Sequence, residues 1–256
     1  TDREARLLSK LFSKNGAVSV MRDSRSCDIV RSISHECCKI YVCADCGMIA
    51  DKCDKARLSE ILACLRVNGK YAVIAARGEK SGRCSDVAAI TGIAILISEL
   101  GITPIAAVMQ SSSDMRVAEA VARLYKKRCS SELRIFKGSC SETAALISRA
   151  EFAVTQRMHA AVFAAGSFVP SFIISNDPKC RIFAEEYLDM HCFAPSGAGE
   201  ETLKSAFSEF YRHRGIIAAE LSRKIPSEKE LILTTMSCVK EDIEKAGSLK
   251  HAKKKS

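Results

Sequence analysis

The residues with the clearest capacity for chemistry are an arginine and a histidine two positions apart, Arg157 and His159. They follow an apolar run that ends at Val154, and a stretch rich in alanine comes after them. This order predicts a strand that leads into a helix whose start carries both side chains. Because the first backbone N–H groups of a helix are unpaired and its dipole is positive there, the pair would favour an anionic ligand.

A lysine after the next apolar run offers another cationic group. Residues 172–174 are apolar, and Asn176-Asp177-Pro178-Lys179 follows them, with the proline placed to start a helix. Since consecutive strand ends can converge on one site, Lys179 and His159 could act together. The alternative is that Lys179 is a solvated helix lysine and that Asp177 only caps the helix.

Most of the chain alternates between short apolar runs and stretches with helical periodicity. The helical stretches include 84–100 and 114–128. The apolar runs, rich in valine and isoleucine, are 17–21, 39–44, 71–76, 102–108, 133–136, 151–155 and 171–175. Strands that are apolar on both faces belong to a parallel sheet covered by helices on each side. The sequence therefore predicts an α/β fold: a Rossmann-like parallel sheet with helices on both faces.

Polar residues gather where these apolar runs end. In an open parallel sheet, ligands bind in the crevice beyond the carboxyl ends of the strands. The residues in question are Arg22, Asp23, Asp45, Arg77, Gln110, Arg157, His159, Asn176 and Asp177. We expect several of them to surround one anion-binding mouth. The alternative is that loops are polar because they are solvated, and that an Arg-x-His at a helix start only pairs with a carboxylate.

The composition predicts a soluble protein of the cytoplasm. Of the 256 residues, 47% are hydrophobic, enough for a substantial core. No apolar run approaches the roughly 20 residues that a membrane-spanning helix needs. The net charge is +9, and part of it comes from lysines concentrated at the end of the chain. Residues 246–256 are therefore expected to form a disordered basic tail. The mild charge of the remainder suits an anionic small molecule, and the absence of Trp disfavours a nucleic-acid partner.

The 13 cysteines, an odd number, indicate free thiols in a reducing compartment. Cys43 and Cys46 form a C-x-x-C motif. A zinc site would need a second spaced pair, and Cys43 lies in an apolar run where it behaves as a small hydrophobe. We therefore expect neither a metal nor a redox role at this motif. His191, His213 and His251 have no supporting context and are expected to be structural or surface residues.

Residues 151–188 resemble the polysaccharide pyruvyl transferase family. That family carries an Arg-Leu-His-Ala run after a strand, then an alanine-rich helix, Val-Pro, a second strand and a Tyr-Asp-Pro-Lys turn. The corresponding residues here are Arg157-Met158-His159-Ala160, Phe163-Ala164-Ala165, Val169-Pro170 and Asp177-Pro178-Lys179. Met158 stands in place of the leucine, and Asn176 in place of the tyrosine.

Four upstream segments extend the resemblance to about residues 16–190. They are similar to the family's Val-Arg-Asp-x-x-Ser turn, its Ala-Asp-Pro strand end, a strand that ends in arginine, and a Pro-Met-Gln strand end. In this sequence they are residues 20–26, 42–45, 74–77, and 108–110 together with Asp114. Cys46 replaces the proline after Asp45, and no Trp follows Arg77.

The resemblance implies a glycosyltransferase-B-like architecture of two Rossmann-like halves. Residues 1–66 are then the end of an acceptor-side half, 67–199 form a donor-binding domain, and 200–245 form C-terminal helices. Because the chain begins at Thr1, inside a helical pattern, we expect most of the first half to be missing. A separate chain that supplies this half is a candidate partner.

The family's activity also implies roles for the site residues. The donor would be phosphoenolpyruvate, the acceptor a hydroxyl pair on a glycan or lipid-linked sugar of a cell-wall or surface polysaccharide, and the product a pyruvate ketal. His159 would be the general acid, because protonation of the enol methylene makes C2 electrophilic. Arg157 and Arg77 would clamp the carboxylate and phosphate of the donor. Lys179 would assist phosphate departure, with Asp177 beside it in the donor site.

Arg22 and Asp45 would lie on the acceptor side, and the resemblance implies no metal and no cofactor besides the donor. Two other functions stay open. A glycosyltransferase of the same architecture would use a nucleotide-sugar donor, which favours a Gly-rich phosphate turn and an acidic residue for the ribose; neither is clear in this sequence. A non-catalytic descendant would only bind an anion or a glycan.

Overall fold

The computed structural model describes residues 6–7, 9–10, 17–34, 38–78, 86–110 and 112–252, and every structural statement below concerns these residues. The chain forms two compact units. The smaller consists of Thr1–Cys46 and Pro226–Ser256, and the larger of Gly47–Ile225. The domain boundaries expected from the sequence, after residues 66, 199 and 245, remain predictions.

The smaller unit contains two parallel strands, β1 (Ala17–Met21) and β2 (Cys38–Val42), joined by helix α1 (Ser24–Ser34). The carboxylate of Asp23 accepts hydrogen bonds from the backbone N–H of Ser26 at 2.7 Å and from its hydroxyl at 2.8 Å. These bonds satisfy donors at the start of α1, as capping side chains do.

The larger unit is built on a six-stranded parallel sheet with the order β5-β4-β3-β6-β7-β8. Its strands are β3 (Tyr71–Ala75), β4 (Thr103–Ala107), β5 (Arg134–Phe136), β6 (Ala153–Thr155), β7 (Ser171–Ile174) and β8 (Phe193–Ala194). The register pairs Val73 of β3 with Ala153 of β6, and Ala153 with Ser171 of β7. Because β6 lies between β3 and β7, the segments that follow these three strands are neighbours.

Helices connect the strands. They are α2 (Lys55–Cys64), α3 (Val87–Glu99), α4 (Ser113–Cys129), α5 (Cys140–Ile147), α6 (Met158–Ala165), α7 (Pro178–Tyr187) and α8 (Glu200–Ala252), with short 3-10 turns at Cys46–Ile49 and Met190–Cys192. No helix in the described part of the chain has an apolar stretch long enough to cross a membrane.

The sheet buries apolar side chains on both faces, which is why its strands lack polar alternation. All five residues of β3 are buried. On one face, Val73 and Ala75 pack in a core with Leu58 of α2 and Leu146 of α5. Phe152 and Phe172 instead pack against Phe207 and Phe210 of α8, with ring centroids 5.6 to 5.9 Å apart. The predicted α/β fold, a parallel sheet with helices around it, is confirmed.

The predicted strands agree with the observed ones to within two residues at each end, but β8 was not predicted. It has two residues only, too few to form an apolar run. The second difference is α8, one helix that continues through Pro226, where the sequence analysis expected several. Proline lacks the N–H that would bond one turn back, so its place inside a helix costs about 3 kcal/mol. The helix extends to Ala252, and the last four residues of the predicted tail lie outside the described residues.

We expect Gly166→Ala, directly after α6, to destabilise the larger unit. A Cβ at this position would lie 2.4 Å from the carbonyl oxygen of Met48 and 2.8 Å from its Cα. Because backbone must move to relieve the overlap, the cost should be about 1–3 kcal/mol, as for other overpacked sites. Urea unfolding followed by circular dichroism measures it.

Gly215→Ala is the matched control, since a Cβ there meets nothing within 4 Å. Gly215 lies inside α8, so alanine should stabilise the protein by up to about 1 kcal/mol through its higher helix propensity. Equal unfolding midpoints for the two variants would show that the approach of Met48 to Gly166 is not tight.

Candidate functional site

Two cationic side chains, one from the loop after β3 and one from the first turn of α7, share one carboxylate beyond the carboxyl ends of β3 and β7. Arg77 Nη1 lies 3.7 Å from Asp177 Oδ2, and Lys179 Nζ lies 3.2 Å from the same oxygen. About half of the Arg77 side chain (50%) and of the Lys179 side chain (48%) is exposed, so both can reach a ligand. The cluster carries one more positive than negative charge, which suits an anion.

Asp177 holds this cluster to the start of α7. Its Oδ1 accepts the backbone N–H of Lys179 at 3.2 Å, and its own N–H donates to the hydroxyl of Ser175 at 3.1 Å. Burial is the largest influence on the pKa of Asp177 and raises it, but the hydrogen bonds and charge of Lys179, with the charge of Arg77, outweigh burial. The net pKa is below its ordinary value, so the carboxylate is ionised at neutral pH.

Arg157 is committed to a buried ion pair. Its Nε donates to Asp114 Oδ2 at 3.1 Å, and its Nη2 donates to Oδ1. The Arg157 side chain is 16% exposed and that of Asp114 only 1%. Asp114 also accepts the backbone N–H groups of Gly78 at 3.0 Å and Gln110 at 2.9 Å. The structure therefore has Arg157 paired with a carboxylate, which was the simpler alternative considered from the sequence. Only the guanidinium N–H groups that Asp114 does not accept can face a ligand.

His159 is the second residue of α6 and has an exposed side chain, unlike the buried residues around it in that helix. Arg157 occupies the N-cap position without a side-chain cap, which agrees with the predicted helix start. In the described part of the chain, no hydrogen bond or ion pair engages the imidazole. Since α6 follows β6, His159 comes from the strand between those that lead to Arg77 and Asp177.

A buried network that the sequence analysis did not predict supports Arg77. Its backbone N–H donates to Gln156 Oε1 at 3.0 Å, and Gln156 Nε2 donates to Asp86 Oδ2 at 2.7 Å. Asp86 is 2% exposed and also accepts the backbone N–H of Gly197 at 2.8 Å. The feature of the sequence that could have indicated this network is Gln156, a polar residue between a buried strand and Arg157.

Arg22 and Asp45, the predicted acceptor-side residues, lie after β1 and β2 in the smaller unit. Arg22 Nη1 is 3.6 Å from Asp45 Oδ2, and Arg22 Nε is 3.9 Å from Asp23 Oδ2. The parallel pairing of β1 with β2 explains why these strand ends meet. Of the two C-x-x-C thiols, Cys43 is buried and Cys46 exposed.

The fold is similar to that of several solved structures, three of which follow. HepE of Anabaena in complex with UDP is 14% identical, with 93% of this chain and 68% of that chain covered and a TM-score of 0.54. A glycosyltransferase from Rickettsia africae is 12% identical (95% and 68% covered, TM-score 0.58). The trehalose 6-phosphate synthase of Burkholderia multivorans is 10% identical (98% and 63% covered, TM-score 0.57). At these identities the likeness shows the fold alone, which is glycosyltransferase-B-like.

Comparison with curated protein sequences found no match. A family model, that of the polysaccharide pyruvyl transferases, matches residues 1–178. The matched part contains Arg77, Asp114, Arg157 and His159, and it ends one residue before Lys179. This match covers well over half of the chain and agrees with the resemblance seen in the sequence motifs. The chain is therefore a transferase that belongs to the polysaccharide pyruvyl transferase family.

Proposed function

We propose that this protein transfers a pyruvyl group from phosphoenolpyruvate to a pair of hydroxyls on a cell-wall or surface polysaccharide, or on a lipid-linked precursor of it. The observation that carries the proposal is the cationic cluster of Arg77 and Lys179 on Asp177. Family membership supports a sugar or polysaccharide as the acceptor. The identity of the donor rests on the chemistry of the cluster.

Phosphoenolpyruvate carries a carboxylate and a phosphate close together, so it needs several cationic groups at one place. The planar guanidinium of Arg77 can hold either anion with two parallel hydrogen bonds. The ammonium of Lys179 is a compact charge that can follow the phosphate as it leaves. Asp177 keeps the two cations near each other before the donor binds, so less side-chain conformational entropy is lost on binding.

The reaction begins with a proton transfer to carbon. Protonated His159 gives its proton to the methylene carbon C3, the electron pair of the C2–C3 double bond forms the new C–H bond, and C2 becomes cationic. The first sugar hydroxyl adds to C2 and gives its proton to the now neutral imidazole of His159. The bond from C2 to the phosphate oxygen then breaks, and the phosphate leaves with its electron pair beside Lys179. The second hydroxyl adds to C2 and gives its proton to the departing phosphate, which completes the ketal.

Arg157 takes part through the N–H groups that Asp114 leaves free. With two donors fixed on that buried carboxylate, the guanidinium has one orientation, and its free edge can meet the donor without further ordering. Arg22 and Asp45 are the proposed polar contacts for the acceptor sugar, since carboxylate and guanidinium groups both bind sugar hydroxyls.

We expect Arg77→Ala to weaken the binding of phosphoenolpyruvate by at least about tenfold. Hydrogen bonds to charged groups are worth about 1.5–3 kcal/mol, and the substitution removes at least one such bond to the donor. Isothermal titration calorimetry measures the affinity. Lys126→Ala is the matched control, because it also removes one charge but from an exposed ion pair with Glu132 at the end of α4. Equal affinities for the two variants would exclude Arg77 from the donor site.

The alternative donor is a nucleotide sugar, favoured by the similarity in fold to HepE in complex with UDP. The same calorimetry with UDP-glucose in place of phosphoenolpyruvate distinguishes the two. Binding of UDP-glucose without binding of phosphoenolpyruvate would replace our proposal by a glycosyltransferase. Donor binding without any turnover on glycan acceptors would indicate a non-catalytic descendant.

A further inference from the structure

Two histidines and a glutamate meet on the larger unit, away from the residues discussed so far. His191 lies in the 3-10 turn Met190–Cys192, and Glu209 and His213 lie one turn apart on α8. Each offers a ligand atom, and these atoms all lie within 4.8 Å of one another. Both histidines were expected to be structural or surface residues. The sequence shows no link between His191 and α8, since only folding brings them together.

The two imidazoles lie close together, but one of them has to turn before both can bind one ion, because a metal ion lies near the plane of each imidazole that binds it. Their rings are stacked, with centroids 4.4 Å apart and planes 5° from parallel. Nδ1 of His213 lies 2.9 Å from the carbonyl oxygen of Glu209. Since a carbonyl can only accept, Nδ1 must carry the hydrogen and donate it, which leaves the lone pair on Nε2. A hydrogen bond of this kind fixes the tautomer and orientation of histidine ligands in metal sites.

The geometry points to a binding site for a divalent transition-metal ion, Zn²⁺ in particular, with His191, Glu209 and His213 as the protein ligands. Two imidazoles and one carboxylate form a ligand set that Zn²⁺ accepts, with water in the fourth position. Bonds of about 2.0–2.1 Å would place the ligand atoms about 3.4 Å apart. The side chain of His191 is 43% exposed and that of His213 36%, so both can rotate to close the remaining gap.

The surrounding charges favour a cation. Arg212 Nη1 holds Glu209 Oε2 at 2.6 Å, and Oε1 lies 3.4 Å from Nδ1 of His213, so the His213 ring has to turn before Nε2 and Oε1 can bind one ion. The carboxylate of Asp189 lies 3.9 Å from His191 Nε2 and adds a second negative charge. With two carboxylates and one guanidinium, the fixed charges around the imidazoles sum to one negative charge, which attracts a divalent ion.

The candidate metal site lies away from the proposed donor site. His191 precedes β8 at the amino ends of the parallel strands, whereas the proposed donor site follows their carboxyl ends, so the two lie at opposite ends of the strands. A bound ion would fasten the turn Met190–Cys192 to α8 and so secure the approach to the edge strand β8. The ion would not touch the groups that act in pyruvyl transfer.

The test is titration of the 256-residue chain, stripped with chelator and kept reduced, with Zn²⁺ alone in competition with a chromophoric chelator. We expect one site in the wild type whose affinity falls by at least about tenfold in His191→Gln and in His213→Gln. His159→Gln is the matched control and should keep the wild-type affinity. Thermal melts should show a zinc-dependent rise in Tm for the wild type and the control only, because an ion that binds the native state stabilises it.

Cobalt separates this site from the free thiols. Co²⁺ at the histidines and Glu209 should show visible ligand-field bands without a thiolate-to-cobalt charge-transfer band. The proposal is overturned by unchanged Zn²⁺ affinity in both histidine variants, by a thiolate band at the first equivalent of cobalt, or by the absence of binding at micromolar protein. None of these results bears on the donor site, whose test is calorimetry with phosphoenolpyruvate.

Discussion

Replacement of His159 by alanine is expected to lower kcat for pyruvyl transfer by about 10²–10⁴-fold, while the affinity for phosphoenolpyruvate changes little. The proposed mechanism begins with protonation of a carbon atom, which is difficult without a positioned acid, and general acids typically contribute that factor. The imidazole is exposed and makes no hydrogen bond or ion pair with the described residues around it, so its removal should leave the fold intact.

Chemical rescue distinguishes the loss of an acid from a distorted site. Added imidazole should restore part of the activity of His159→Ala by supplying the proton from solution, and it should not affect the wild type. The measurements are phosphate release with a glycan acceptor and calorimetry with phosphoenolpyruvate. If kcat survives the substitution, or if donor binding falls as much as turnover, then His159 is not the acid in this reaction.

The sequence predicted the strands and the group of residues at their ends because both depend on local patterns. Each apolar run fixes a strand, and parallel pairing brings the following residues to one edge. The contact of Arg77 with Asp177 joins residues that follow β3 and β7, the strands that flank β6. Such a contact depends on strand order, and no local pattern encodes that order.

The same reason explains what sequence reasoning missed. Asp114 was noted as part of a strand-end motif, but its pairing with Arg157 spans 43 residues and crosses from the end of β4 to that of β6. The spacing of Glu209 and His213, four residues apart in a helix, is visible in the sequence. Their meeting with His191 requires the turn before β8, and β8 itself is too short to predict.

Asp114→Ala is expected to lower the free energy of unfolding by about 3–5 kcal/mol. This is the usual cost of leaving one partner of a buried ion pair alone, and Arg157 would become that partner. The substitution also removes the acceptor for the backbone N–H groups of Gly78 and Gln110. Urea unfolding of the larger unit, followed by circular dichroism, measures the change.

Glu132→Ala provides the matched control, because it breaks an ion pair with Lys126 whose side chains are 67% and 78% exposed. Exposed pairs contribute about 0–1 kcal/mol, so the control should be nearly neutral. Asp114→Asn keeps the shape of the side chain but loses its charge, so its loss of stability should lie between those of Asp114→Ala and the control. If Asp114→Ala lowers the free energy of unfolding no more than the control does, the Arg157 guanidinium is hydrated and mobile in the variant.

A double variant separates the pair from its surroundings. In Asp114→Leu with Arg157→Met no charge is left buried and unpaired, so the loss of stability should be smaller than the sum for the single variants. The double variant should nevertheless bind phosphoenolpyruvate more weakly than the wild type, because the free edge of the guanidinium is gone. Full recovery of stability together with undiminished donor binding would restrict Arg157 and Asp114 to a structural role, and the donor would then be held by Arg77 and Lys179 alone.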